Sequence, residues 1–226
     1  MYDDLANMMR TREGIYSLLY TVYVKELTQE QIEALAAMDF SSLEGLDPQI
    51  AEGAHMVRRY LRRLRSEMRQ ELAVDYAHLF YAAGSAKHER RAVPYESVFT
   101  SIEGLLMQDA RDEVLRYMLA EHVEPNPELH VPEDHVAFIF DVMSTLCDRC
   151  ADAAERGDEA EAQRLLEVQR QFQAEHIASW IDEFCDAVEG CCRTAFYGGF
   201  SRITRGFARL DQELLGDLEQ ELARAS

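Results

Sequence analysis

The chain has 226 residues, of which 47% are hydrophobic, so it can bury a full core as one large domain or two small ones. Its 42 acidic residues outnumber the 23 Lys and Arg residues and give a formal net charge of −19. This charge argues against a nucleic-acid partner, because the phosphate backbone would be repelled. A cationic partner would be attracted instead, and its encounter with the protein would be accelerated.

The amino-terminal residues and the cysteines predict a cytoplasmic protein. The stretch from Met1 to Asp4 is acidic and lacks the basic and apolar regions of a signal peptide. The longest apolar run, 136–147, is interrupted by Asp141 and is too short to span a bilayer, so we expect no stable membrane insertion. Five cysteines, an odd number in a chain with enough apolar residues for a core, are typical of reduced thiols.

The first stretch of the chain predicts two helices. Apolar side chains spaced three and four residues apart predict a helix over residues 3 to about 26. Thr28 and Gln31 form a capping-box pattern, which predicts that a short helix begins at Thr28 and ends near Met38. Residues 41–47 are predicted to form a loop.

A long helix is predicted to follow. Asp47 suits the capping position and Pro48 the first helical position, and the apolar stripe that begins there continues to Phe80. After a polar loop, two short helices are predicted over roughly 97–108 and 109–122.

The stretch 124–135 predicts a division of the chain. Three of the five prolines lie in it, namely Pro125, Pro127 and Pro132. Because proline lacks the amide donor and disfavours helix at the preceding residue, no helix is expected to pass through. The stretch therefore predicts a hinge between an amino-terminal helical part, 1–123, and a carboxyl-terminal helical part, 136–226.

The end of this hinge also suggests a ligand site. Pro132 suits the first position of the next helix, which would place Glu133 and Asp134 in its first turn as helix-start carboxylates. His135 follows where two parts of the molecule are expected to meet, and clefts between domains commonly bind ligands. Since histidine changes charge near neutral pH, a cationic ligand here is expected to bind more weakly below about pH 6.

The second half of the chain is also predicted to be helical. A buried stripe runs from Val136 to Cys150, and Gly157 with Asp158 predicts the end of one helix and the cap of the next. That next helix carries apolar or aromatic residues at every fourth position: Val168, Phe172, His176, Trp180, Phe184 and Val188. A last helix contains Gly198-Gly199, which predicts close backbone packing or a kink. Since the sequence has no strand pattern, we predict an all-α helical bundle in two parts.

Few residues suggest catalysis. Cys147 and Cys150 have the spacing of half a zinc site or a redox pair, but both lie on the apolar stripe, which favours core packing. Asp134 and His135, with His176 or His130, could serve a metal-dependent helical enzyme, although no second ligand cluster supports this. Phosphate-loop and nucleophile-elbow motifs are absent from the sequence, so no enzyme activity, metal or cofactor is predicted.

Four separated motifs carry a family resemblance. They are Tyr76-Ala-His-Leu79-Phe80, Pro94-Tyr95-Glu96-Ser97-Val98, Pro132-Glu133-Asp134-His135, and Phe172 with His176, Trp180 and Phe184 at steps of four, followed by Phe196-Tyr197. In order and spacing they resemble the TorD family of cytoplasmic chaperones for exported molybdenum-containing redox enzymes. The sequence departs from the family pattern at Val131, where an acidic residue is common, and after Trp180, where a proline is common.

The resemblance implies a two-part helical chaperone, not an enzyme. Such a chaperone binds the twin-arginine signal peptide of an apo molybdopterin-containing oxidoreductase, assists cofactor insertion and prevents premature export. The residues expected to bind the peptide are Leu79, Phe80, Pro94, Tyr95, Glu96, Ser97, Pro132, Asp134 and His135. An alternative is a chaperone of a non-exported nitrate-reductase-type subunit. Both a monomer and a domain-swapped dimer are compatible with the resemblance.

Overall fold

The computed structural model describes the backbone of residues 2–63, 66–81, 92–124 and 131–225. In these ranges the chain is helical, with an isolated β-bridge but no β-strand, which confirms the predicted all-α class. The helices are α1 (Tyr2–Val24), α2 (Gln29–Ala37), α3 (Ser41–Glu44), α4 (Pro48–Leu61), α5 (Met68–Phe80), α6 (Glu96–Thr100), α7 (Asp109–Ala120), α8 (Val136–Glu155), α9 (Glu159–His176), α10 (Ile181–Cys191) and α11 (Ala195–Ala225). None of them is both long enough and apolar enough to cross a membrane, as far as the described residues extend.

Several predicted helix ends are confirmed by their caps. The Thr28 hydroxyl accepts a hydrogen bond from the Gln31 amide, and the Gln31 side chain accepts one from the Thr28 amide, so the capping box is complete. Asp47 caps α4 through the Gln49 amide at 2.7 Å. Asp158 caps α9 by accepting from the Glu161 amide, directly after the end of α8.

The long helix predicted from Asp47 to Phe80 is wrong, because the structure divides it into α4 and α5. The first of these ends at Leu61, within a run rich in arginines. Like charges three or four residues apart destabilise a helix. The spacing of the apolar residues gives no indication of this repulsion, so it predicts one continuous helix. The predicted loop 41–47 contains the short helix α3, and the predicted helix 97–108 ends at Thr100.

The predicted continuous helix through residues 168–188 is also wrong. It is interrupted at residues 177–180, between α9 and α10. In an unbroken helix the His176 carbonyl would accept from the Trp180 amide. In the structure it accepts instead from the indole Nε1–H of Trp180 at 2.7 Å, while the Trp180 amide donates to the Ile177 carbonyl. The large aromatic side chain thus replaces the backbone donor and ends α9.

The chain forms two compact units. Unit 1 comprises 1–21, 95–180 and 211–226, and unit 2 comprises 22–94 and 181–210. These units do not coincide with the predicted parts 1–123 and 136–226, because each unit combines segments from both parts. Residues 125–130 lie outside the described residues, and whether the stretch 124–135 acts as a hinge stays a prediction.

The core of unit 1 is centred on α8, which is buried along most of its length. Cys147 and Cys150 are fully buried there, as predicted from the stripe. Near them, Arg12 forms a buried ion pair with Asp211, in which Arg12 Nε lies 2.5 Å from Oδ1. Tyr16 also donates to this carboxylate, at 2.6 Å. The buried charge of Arg12 is therefore paired with the buried charge of Asp211, as burial requires.

Unit 2 has an aromatic core and one very close helix contact. A Cβ atom placed on Gly199 would lie 2.8 Å from the Gly53 carbonyl oxygen, and one on Gly53 would lie 2.5 Å from the Gly199 carbonyl oxygen. Both distances are shorter than a normal contact, so α4 and α11 approach each other only because neither residue has a side chain. This confirms the close backbone packing predicted from Gly198-Gly199.

Candidate functional site

The nine residues predicted to bind the peptide are distributed over both units. Leu79, Phe80 and Pro94 belong to unit 2 and are buried, and the other six belong to unit 1. The Phe80 ring packs against the rings of Tyr76 and Tyr197, with centroids 4.8 Å and 5.7 Å apart. Leu79 and Phe80 are therefore core residues of unit 2, and their role in peptide binding stays a prediction.

Unit 1 joins two motifs that are far apart in the sequence. Tyr95 and His135 form the isolated antiparallel β-bridge, and their rings meet edge to face with centroids 5.0 Å apart. The Glu96 amide donates to the Asp134 carbonyl at 3.0 Å. The Ser97 amide donates to the Asp134 side chain, also at 3.0 Å. We call this cluster of Tyr95, Glu96, Ser97, Asp134 and His135 the paired motifs.

Asp134 does not occupy the first turn of the following helix, so the predicted helix start at Pro132 is wrong. Helix α8 begins at Val136, and Asp134 is fully buried before it. Its Oδ2 accepts from Ser97 in the first turn of α6, where amides have no helical acceptor. Its Oδ1 is buried and receives no hydrogen bond from any residue that the structure describes.

His135 is the cap of α8. Its Nδ1 accepts a hydrogen bond from the Ala137 amide at 3.1 Å, which requires a neutral ring with its proton on Nε2. Burial lowers the pKa of His135 to about 3, from an ordinary value of 6.5. The expectation that His135 changes charge near pH 6 is therefore wrong, because the sequence pattern does not show that the ring is buried.

Glu96 makes the second polar contact of the paired motifs. Its carboxylate lies 3.0 Å and 3.2 Å from Nδ1 of His176, and both residues are almost completely buried. Burial raises the pKa of Glu96, although the hydrogen bond from His176 acts in the opposite direction. The sequence assigns His176 to the fourth motif but not to the peptide site. Its position within a motif, rather than a local pattern, is the signal that points to it.

Aromatic rings surround this pair. The rings of Phe99 and Trp180 lie 5.3 Å apart between centroids. Tyr117 places its ring edge to face against both Phe172, at 5.2 Å, and His176, at 5.4 Å. Residues of three of the four motifs therefore meet within unit 1, around a buried carboxylate–imidazole pair.

Pro132 and Glu133 complete the turn before α8. Both are half-buried, and the Pro132 carbonyl accepts from the His135 amide at 3.1 Å. Glu133 forms an ion pair with Arg111 of α7, with Nε and Oε2 2.6 Å apart. The turn is thus fixed at both ends, which keeps Asp134 and His135 directed towards residues 95–97.

The geometry offers the metal-enzyme alternative no support. Among the described residues, no group of three or more His, Cys, Asp or Glu side chains is arranged to hold a metal ion. The side chains of Asp134 and His135 both contact backbone amides, those of Ser97 and Ala137. His130, which that alternative also considered, lies outside the described residues.

Comparisons with known proteins give one consistent result. Residues 43–186, more than half of the chain, match the family described as nitrate reductase delta subunit. The chain is 26% identical over 226 residues to the chaperone protein TorD of Vibrio vulnificus, an alignment covering 95% of this chain and 99% of that protein. Identity to the chaperone protein TorD of Vibrio cholerae is 28% over 228 residues, covering 98% and 99% of the two chains. For the chaperone protein TorD of Shewanella loihica it is 24% over 220 residues, covering 93% and 95%. The chain therefore belongs to the nitrate reductase delta subunit family and is a member of the TorD family of chaperones.

Proposed function

We propose that this protein is a cytoplasmic chaperone for redox enzyme maturation. It binds the twin-arginine signal peptide of an apo molybdopterin-containing oxidoreductase, assists cofactor insertion and prevents premature export. Similarity to proteins named chaperone protein TorD, over nearly the whole chain, supports the general role. The peptide and the client are the specific parts of this proposal. The peptide rests on the chemistry of the paired motifs, and the client rests on the family resemblance.

The observation that carries the proposal is the buried carboxylate of Asp134. One of its oxygens accepts from Ser97, and the other is buried without a donor among the described residues. A buried acceptor without a donor costs roughly 1–3 kcal/mol, and more for a charged group. A guanidinium group presents several donors in a fixed plane, so an arginine of the signal peptide would satisfy this oxygen well.

Contact with an arginine requires a rearrangement. Asp134 and Glu96 are 0% and 3% exposed, so neither reaches solvent in the unbound protein. We propose that the peptide displaces the bridge between Tyr95 and His135, which exposes both carboxylates to its cationic head. Glu96 would then exchange its contact with His176 for one with the peptide. The net charge of −19 favours the approach of such a head.

The other predicted residues of unit 1 would lie around the two carboxylates. Tyr95 directly precedes Glu96, Pro132 lies two positions before Asp134, and both are half-buried. The Ser97 amide fixes the start of α6 by donating to Asp134. Leu79, Phe80 and Pro94 are buried in unit 2, and their contact with the peptide stays a prediction. His135 would hold Tyr95 in the β-bridge, and its ring would stay neutral.

Calorimetric titration with twin-arginine signal peptides encoded in the same genome tests this function. We expect binding that weakens with added salt, since the contact is partly Coulombic. Replacing the two arginines with lysines should weaken binding strongly if a two-oxygen contact with a carboxylate is used. If none of these peptides binds, the proposed function is wrong.

The family description favours a second candidate. A protein of the nitrate reductase delta subunit family could assist a nitrate-reductase-type subunit that is not exported. The same titration with the amino-terminal peptide of such a subunit, which lacks twin arginines, distinguishes the two. Binding of this peptide alone would favour the second candidate.

A further inference from the structure

The loop that follows α6 exposes a run of large apolar side chains. Ile102 is fully exposed, and Leu105, Leu106 and Met107 are 50%, 44% and 57% exposed. Four such residues within six positions form a concentrated apolar surface rather than the scattered single side chains usual on soluble proteins. We call residues 102–107 the apolar loop.

The apolar loop has a defined backbone conformation. The Leu105 amide donates to the Ser101 hydroxyl at 3.1 Å, and the Gln108 side chain donates to the Leu106 carbonyl at 2.9 Å. Gly104 and Met107 both have left-handed backbones, with φ of 63° and 62°. This conformation is rare for a residue with a side chain such as methionine. The loop therefore exposes its apolar residues through specific local bonds and a strained residue, which is typical of functional segments.

Ser97 connects the apolar loop to the paired motifs. Its hydroxyl accepts from the Gln108 amide at 3.2 Å, immediately after the loop, while its own amide donates to Asp134. One residue thus holds both the carboxylate proposed to meet an arginine and the end of the apolar loop. Asp134 and the end of the apolar loop therefore share one hydrogen-bonding partner.

Charge beside the apolar loop indicates the kind of partner. Glu103 lies within it and Asp109 follows it, and both are exposed. Neither carboxylate forms an ion pair with a described residue, and residues 101–109 contain no Lys or Arg. A surface that combines apolar side chains with exposed carboxylates complements a segment in which basic residues adjoin an apolar run.

We propose that the apolar loop is the docking surface for the apolar tail of the client signal peptide, with Glu103 and Asp109 attracting the cationic head of the peptide before that head reaches Asp134. This inference rests on the proposed function and assigns the tail to a surface that is exposed before the peptide arrives. The tail docks first, and the cationic head then displaces the bridge between Tyr95 and His135.

The test uses a fluorescein-labelled peptide covering the twin-arginine signal of a molybdoenzyme from the same genome. A second peptide carries serine at each apolar position of the tail. The variant Leu105→Ser/Leu106→Ser is compared with Leu119→Ser, a control on α7 in the same unit, because Leu119 is also exposed, at 67%. Thermal unfolding of each variant checks that the fold is retained.

We expect the loop variant to bind the complete peptide roughly ten-fold more weakly, because two leucines lose apolar contact. It should bind the serine-tailed peptide as tightly as the wild-type protein does, and Leu119→Ser should bind both peptides normally. Wild-type affinity of the loop variant for the complete peptide would overturn the inference while leaving the proposed function intact. No binding by the wild-type protein would overturn both. If the loop substitution instead dissociates a dimer and leaves peptide affinity unchanged, the loop is a contact between copies of this chain and the inference is wrong.

Discussion

The carboxylate of Asp134 accepts a hydrogen bond from the Ser97 amide at 3.0 Å, although 37 positions separate the two residues. This bond joins the start of α6 to the turn before α8, and it gives Asp134 a structural role independent of any peptide. A substitution that tests peptide binding must therefore remove the charge of Asp134 while keeping an oxygen that accepts from Ser97.

Asp134→Asn keeps an oxygen that can accept from Ser97 but removes the charge. We expect the free energy of unfolding to fall by at most ~1 kcal/mol, as for exchanges between good capping residues. Peptide binding should weaken by ~1.5–3 kcal/mol, the range for a hydrogen bond to a charged group. Urea unfolding and calorimetric titration measure the two quantities. With Asp134→Ala as the comparison, stability should fall further because the acceptor is also lost. An Asn variant with normal stability and wild-type affinity would limit Asp134 to its structural role.

His135 predicts an acid-dependent loss of stability. The folded protein does not protonate this ring until about pH 3, whereas the unfolded chain does so near 6.5. Between these values the unfolded state binds more protons, so the free energy of unfolding falls as the pH falls, by up to ~1.4 kcal/mol per pH unit. The full contribution of His135 is present above pH 6.5 and is lost towards pH 3.

A comparison with His135→Asn isolates this effect. Asparagine is a good helix cap, so it can accept from the Ala137 amide without titrating. Glu96, whose pKa is raised by burial, acts in the opposite direction in both proteins and cancels in the difference. Urea unfolding between pH 4 and 7 should show a shallower decline for the variant. Parallel pH profiles would mean that the folded ring accepts a proton after all.

The five cysteines should differ in reactivity. Burial raises the pKa of Cys147 to about 12 and that of Cys150 to about 11, and both side chains are inaccessible. Titration with a thiol reagent should label at most Cys191 and Cys192 in the native protein, since both are half-buried. All five should react in denaturant, and the melting temperature should not respond to zinc or a chelator. Rapid native labelling of Cys147 and Cys150 would contradict their burial, and a zinc-dependent melting temperature would indicate a metal site.

A side chain at Gly199 should destabilise the protein. Gly199→Ala places a methyl group 2.8 Å from the Gly53 carbonyl oxygen, so α4 and α11 must separate, at a cost of about 1–3 kcal/mol of stability. Gly14→Ala is the matched control, because a Cβ on this exposed helical glycine meets nothing within 4 Å. It should stabilise the protein by roughly 0.5–1 kcal/mol. Equal effects at both positions, measured by urea unfolding, would show that the contact is not as close as described.

Local sequence patterns predict the helices and their caps in this protein because those depend on neighbouring residues. Thr28, Asp47 and Asp158 each serve an amide two or three positions later. The break after His176 could not be predicted, since the apolar spacing continues through it and the cause is the conformation of one indole. Spacing also does not show which residues are buried.

The candidate site could be predicted only in part for the same reason. The pairing of Tyr95–Ser97 with Asp134–His135 involves long-range contacts, for which only the family resemblance provided a signal. The burial of Asp134 and the contact between Glu96 and His176 had no local signal at all. The exposure of the apolar loop could not be predicted, because the spacing predicts a helix over 97–108 whose apolar side chains would face a core.

The composition of the two units has a consequence for biosynthesis. Unit 2 requires residues 181–210, and unit 1 requires residues 211–226 together with 1–21. Neither unit can therefore be completed while the ribosome is still translating the first two thirds of the chain. Residues 1–21 can pack against residues 211–226 only after the last helix has been synthesised. During that interval the nascent chain exposes apolar surface, so this chaperone is expected to depend on general folding factors during its own synthesis.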